Sequence, residues 1–146
     1  MTQEMVVERP LPLVTPLTKP FWAAARERRL VLQCCQQCGK FRFPPEIGCF
    51  YCGSLASEWT SVSGRATLYS WTITHPPLLP YFLQRAPWPV VAVALEEGPR
   101  MVSNLVDVPP EEYEFGLPLE ADFQDVASDV TLVVFRRARP STSFGE

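Results

Sequence analysis

Two Cys-x-x-Cys pairs, Cys35 with Cys38 and Cys49 with Cys52, stand ten residues apart in the stretch CCQQCGKFRFPPEIGCFYCG, and each is followed at once by glycine. Four thiolates brought to one point are the donor set of a closed tetrahedral metal site, and a two-residue spacer lets both sulfurs of a pair reach the same ion from a tight turn. Gly39 and Gly53 suit that turn because glycine accepts positive φ and lets backbone N–H groups approach the sulfurs. Four thiolates on a divalent ion leave a local charge of minus two, which Arg29, Lys40 and Arg42 are close enough in sequence to offset. The expected metal ligands are therefore Cys35, Cys38, Cys49 and Cys52, with structural Zn²⁺ as the ion.

Other readings of the cysteines are weaker. A redox dithiol needs one Cys-x-x-Cys rather than two. Disulfides are disfavoured because no apolar signal segment opens the sequence, so a reducing cytoplasmic setting is the expectation. Iron is the competitor, since rubredoxin-type sites use the same paired ligands, and zinc is favoured because closed four-cysteine structural sites usually hold it. Cys34, the fifth thiol, fits the spacing less well and is expected to stand outside the shell.

The rest of the chain must supply the body on which this knuckle sits. With 146 residues, 47% of them hydrophobic, it can bury one ordinary core. Net charge is −3 and only two of the thirteen basic residues are lysine, so no broad cationic field exists to attract nucleic acid. No apolar run reaches membrane-spanning length. Pro10, Pro12, Pro16 and Pro20 make the N-terminal region an extended arm, and Thr18 with Pro20 marks the start of a short helix, FWAAARERR, whose apolar face is Phe21, Trp22 and Ala25.

Strands are expected at Leu30–Gln33, Lys40–Phe43 and Glu58–Val62 around the knuckles. Five more follow at Arg65–Thr74, Pro89–Glu96, Met101–Val106, Leu119–Phe123 and Thr131–Arg137, with a helical turn at Pro109–Tyr113. In the first of these, Leu68 and Ser70 are expected to oppose Tyr69, Trp71 and Ile73. Five short antiparallel strands at this size point to a closed OB-type barrel. The fold class is mainly β, divided into an arm and helix over 1–33, a rubredoxin-like zinc ribbon over 34–62, an OB-fold domain over 63–140 and a tail over 141–146.

The connection HPPLLPYFLQRAPW, from His75 to Trp88, is unusually apolar for a loop. Either it folds back to cap the barrel or it waits for a partner or ligand. His75 is the only histidine and has no acid, base or nucleophile in a recognisable arrangement with it. No Ser-His-Asp order and no Gly-rich phosphate loop is present, so no catalytic residue is assigned.

The aromatic pair on the short helix, Cys-x-x-Cys-Gly then Phe-Pro-Pro then Cys-x-x-Cys-Gly, a Ser-Gly-Arg turn into Tyr-Ser-Trp-Thr, a late Phe-Gly-Leu-Pro-Leu and a terminal Phe-Arg-Arg together resemble one family. It is that of small zinc-ribbon plus OB-fold acyl-CoA-associated proteins, and the resemblance runs from about Pro20 to Arg137. It implies a non-catalytic subunit that accompanies thiolases, hydroxymethylglutaryl-CoA synthase-like enzymes, MaoC-type hydratases or sterol side-chain aldolases in lipid or steroid metabolism. Acyl-CoA is then the candidate ligand. A coenzyme A receptor needs a few guanidinium groups and apolar walls, and Arg65, Arg85, Arg136 and Arg137 are the candidate phosphate contacts, with Arg139 beside them. A nucleic-acid-binding module and a rubredoxin-like electron carrier are the alternative functions, the first opposed by the acidic balance.

Overall fold

A computed structural model describes residues 8–140. Residues 1–7 of the expected arm and the whole of the expected tail 141–146 lie outside the described residues. The arm runs without regular structure to a turn in which Thr15 and Thr18 bond each other reciprocally: Thr15 N donates to Thr18 Oγ1 at 3.0 Å and Thr18 N to Thr15 Oγ1 at 3.2 Å. Helix α1, Lys19–Arg26, starts there with Pro20 in its first turn, where the missing N–H costs no hydrogen bond. It buries Phe21, Ala24 and Ala25 and leaves Arg26 in water.

The ribbon is a three-stranded sheet in the order β2-β1-β3, formed by β1 Val31–Cys35, β2 Phe41–Arg42 and β3 Ser57–Ser61. Strand β1 extends two residues beyond its expected end and carries the first metal-ligand candidate as its last residue.

The second sheet has five strands in the order β6-β5-β4-β7-β8, all neighbours antiparallel: β4 Arg65–Thr74, β5 Trp88–Leu95, β6 Arg100–Ser103, β7 Pro118–Ala127 and β8 Val130–Arg137. The sheet curls into a half-barrel consistent with an OB-fold. Its two edges meet through a short parallel contact, where Phe135 N donates to Asn104 O at 3.0 Å and Val106 N donates to Phe135 O at 2.8 Å. Strand β6 accordingly ends at Ser103 rather than Val106, because from Asn104 onward the backbone leaves β5 to bond β8. The sheet is thus less completely closed than a regular barrel. The helical turn is a 3₁₀ turn at Pro110–Glu112, which places Tyr113 and Leu117 in the interior.

One alternation differs from expectation. The register between β4 and β5 slips between Leu68 and Ser70, so Tyr69 is an extra residue on a bulge. The slip reverses the alternation beyond it. Leu68 is buried opposite Val93, Trp71 opposite Val91 packs against the same core, and Tyr69 faces out.

The interior is continuous from the ribbon to the half-barrel. Phe21 and Ala25 of α1, together with Leu30 and Leu32 around the start of β1, share one cluster with Leu68, Val93, Leu119 and Phe135 of the second sheet.

Candidate metal centre and surface arginines

Gln33 and Cys35 are two apart on β1 and so share a face, while Cys34 points the other way. The chain then turns through a knuckle in which Gly39 N donates to Cys35 O at 2.9 Å, with Gly39 at φ +76°. The second knuckle repeats this: Gly53 N donates to Cys49 O at 3.0 Å, with Gly53 at φ +77°. Positive φ is the conformation a Cβ penalises, which explains a glycine at both places.

The four sulfurs of Cys35, Cys38, Cys49 and Cys52 all lie within 4.8 Å of one another. Cys35 Sγ is 3.6 Å from Cys52 Sγ, and Cys38 Sγ is 3.6 Å from Cys49 Sγ. Tetrahedral zinc with Zn–S bonds of about 2.3 Å needs sulfurs about 3.8 Å apart, so the donor set fits that ion. Cys34 stands outside the cluster, its sulfur lying against Gly39 O at 3.6 Å.

The electrostatics of the knuckles favour thiolate at the first cysteine of each pair. At Cys38 and Cys52 the backbone N–H groups of Lys40 and Ser54 pull down, but burial and the neighbouring thiols together push both up. The backbone N–H of Cys38 points at Cys35 Sγ at 3.5 Å and pulls that thiol down to about 6 against the opposing effect of burial, with the N–H of Gln37 adding to it. Cys49 is lowered in the same way by the N–H groups of Tyr51, at 3.4 Å, and of Cys52. The first cysteine of each pair is thus held ready to bind metal. Four protein ligands fill a tetrahedral shell and leave no open position for substrate, which is the arrangement of a structural site.

Of the three cations expected to offset the thiolates, only Arg42 is buried. Its Nε donates to Gln33 Oε1 and its Nη2 to Glu46 O, each at 3.1 Å. Arg29 instead pairs with Glu27 at 2.7 Å, and Lys40 lies over the Tyr51 ring. The burial of Arg42 escaped the sequence reading. Its signal was present in Phe41-Arg42-Phe43, where Arg42 occupies the position opposite Gln33 in a paired strand.

The candidate phosphate contacts do not converge on one point. Arg65, Glu120 and Arg136 form a row across β4, β7 and β8. In that row Arg136 Nε bonds Glu120 at 2.8 Å and Arg139 reaches the same carboxylate at 3.1 Å, while Arg65 pairs with Glu96 at 2.7 Å. Arg137 lies next to this row with Glu112 at 3.5 Å. Arg85 is beyond the opposite end of ten-residue β4, about 30 Å of strand away from Arg65. It stacks on the Tyr81 ring, its guanidinium 3.6 Å from the centroid.

A cavity of about 220 Å³ opens between α1, the ribbon and the seam of the half-barrel, walled by Phe21, Trp22, Phe43, Met101 and Val133 among others. It is smaller than ordinary small-molecule sites, so a whole acyl-CoA would not fit inside it. The loop from His75 to Trp88 neither caps the core nor buries a residue. It carries the short helix α2, Pro80–Leu83, and remains on the surface.

The family model described as the ChsH2 rubredoxin-like zinc ribbon domain matches residues 22–58, and that of the ChsH2 C-terminal OB-fold domain matches residues 59–124. A solved chain titled Ltp2-ChsH2(DUF35) aldolase is similar at a TM-score of 0.78 and 35% identity, covering 87% of this chain and 98% of that one. A DUF35 domain-containing scaffold protein of Pyrococcus furiosus is 36% identical over 101 residues, 68% of this chain and 73% of that protein. A probable enoyl-CoA hydratase alpha subunit of Thermomonospora curvata is 37% identical over 132 residues, 90% of this chain. The chain spans only 41% of the length of that hydratase subunit.

Proposed function

Because this chain belongs to the DUF35 family of ChsH2-type zinc-ribbon and OB-fold proteins, we propose that it is a non-catalytic subunit that supports an acyl-CoA-processing enzyme of the hydratase, aldolase or thiolase type. The observation that carries this reading is the likeness, over nearly the whole of a solved chain, to the DUF35 component named in an aldolase. A shell of four cysteines suits the same role, since it supplies shape and has no vacant position at which to activate water or substrate. Cys35, Cys38, Cys49 and Cys52 would hold the zinc, and the ion would supply folding free energy.

Contacts to coenzyme A fall to Arg65, Arg136 and Arg137 at one end of the half-barrel. Their present ion pairs are partly exposed, and exchanging an exposed carboxylate for a phosphate costs little. Arg85, stacked at the other end, is left free for a different task.

Co-expression with the host's acyl-CoA hydratase- and aldolase-type subunits tests the proposal. The partner is expected to lose activity or solubility when this chain is omitted, and the isolated chain is expected to leave a CoA ester unchanged. A partner that is fully active and stable alone would refute the reading.

A further inference from the structure

The loop between β4 and β5 is an apolar segment that lies outside the core cluster and is shaped by contacts of its own. Phe82 packs edge-on to Tyr81 at 5.2 Å and against Trp88 at 5.0 Å. Arg85 lies on the Tyr81 ring and donates to Tyr81 O at 3.0 Å. Arg9 of the N-terminal arm closes the other side, 5.4 Å from the Tyr81 centroid and 5.8 Å from that of Trp88. Pro76, Pro77, Pro80 and Pro87 restrict the backbone around this aromatic platform. From it Leu79 and Leu83 project into solvent, 59% and 50% exposed.

A stiff projection of this composition matches the make-up of interface anchors, in which aromatic residues and arginine dominate and little conformational entropy is lost on docking. Its charge identifies what it fits. The chain is acidic overall, yet no Asp or Glu occurs between Glu58 and Glu96. Neither Arg9 nor Arg85 makes an ion pair among the described residues, and Glu8, adjacent to Arg9, is exposed and likewise makes none. Two guanidiniums flanking exposed leucines complement an apolar cleft with carboxylates at its rim.

We propose that the 75–88 projection is the plug by which this chain docks into an apolar, carboxylate-rimmed cleft on the acyl-CoA-processing subunit it supports. The inference rests on the subunit reading above and names the surface that carries it out.

The test is calorimetric titration of the full chain into the hydratase- or aldolase-type subunit that depends on it. The variants are Leu79→Glu with Leu83→Glu, and Arg85→Glu. Zinc content and circular dichroism establish that each variant is folded. The double variant is expected to weaken Kd at least about thirtyfold, in the range of interface hot spots. Arg85→Glu is expected to weaken it about tenfold and to flatten its dependence on salt. If wild type binds and both variants bind equally well, the plug is refuted while the subunit reading stands. If wild type does not bind, the subunit reading falls and the plug falls with it. Two other outcomes also overturn the plug: a wild-type dimer in sedimentation that Leu83→Glu dissolves, and cosedimentation with phosphatidylglycerol vesicles that the double variant abolishes.

Discussion

Arg42 Nε donates to Gln33 Oε1 at 3.1 Å across two paired strands of the ribbon, in a setting where both side chains are almost wholly buried. The same Gln33 oxygen accepts from Glu46 N at 2.8 Å, while Gln33 Nε2 and Arg42 Nη2 both donate to Glu46 O. The two side chains thus hold the backbone of Glu46, three residues before Cys49. They fix the path by which the second knuckle returns to the first. Arg42 Nη1 is left without a hydrogen-bond partner among the described residues, so this buried charge has none to spare.

Gln33→Leu keeps most of the volume and removes both ends of that clamp. Loss of the acceptor of a buried guanidinium is expected to destabilise the chain by about 2–4 kcal/mol. It is also expected to speed zinc release to a chelator, because Glu46 and the following knuckle lose their anchor. Urea unfolding and release of zinc to a colorimetric chelator measure the two effects. Wild-type values in both would show that the clamp does not position the metal centre.

Metal removal is expected to unfold the ribbon, since structural zinc in small fingers supplies roughly 10–16 kcal/mol of apparent free energy. Cys38→Ser or Cys49→Ser should do the same, and Cys34→Ser should not, because its sulfur lies outside the cluster. Zinc stoichiometry and the near-ultraviolet dichroism of Trp59, on β3, distinguish these outcomes. An unchanged ribbon after Cys38→Ser would contradict the assignment of ligands.

The loop after α1 is tied to the β7–β8 hairpin by Arg28, whose Nη1 and Nη2 donate to the two carboxylate oxygens of Asp125 at 2.9 and 2.7 Å. Thr131 Oγ1 adds a third hydrogen bond to Asp125 at 2.6 Å. The Arg28 guanidinium, with Thr131, holds the Asp125 carboxyl well below the usual carboxylate range. A depressed carboxyl contributes stability above its unfolded value of about 3.9 and loses it as pH falls further. Asp125→Asn should therefore be less stable than wild type at pH 7, and the gap should narrow steadily below about pH 4. Thermal melts of both proteins from pH 7 to pH 3 read this directly, and a gap independent of pH would exclude the ion pair as its cause.

Features set by neighbouring residues were legible in the sequence. Cys-x-x-Cys-Gly encodes a knuckle by itself, and Val91, Val93 and Leu95 declare a buried face by alternation. What escaped depends on residues distant in the chain. The extension of β7 through Gln124–Ala127 looks polar and loop-like, yet Arg28 holds it, 97 residues away. The early end of β6 depends on Phe135 drawing the backbone from Asn104 onward across the seam. The bulge at Tyr69 shows only once β5 is laid beside β4. For the loop at 75–88, composition raised two possibilities, and the ring contacts show that it is not the cap.

Leu32, closed inside the common interior, precedes Cys35 by three residues on a single strand. No flexible joint lies between the clasp and the body, so loss of the ion is felt well beyond the fingertip. Where zinc is scarce, unfolding of the ribbon is expected to withdraw Leu30 and Leu32 from the interior they share with the second sheet, so the half-barrel of the metal-free chain would be weakened as a docking body as well.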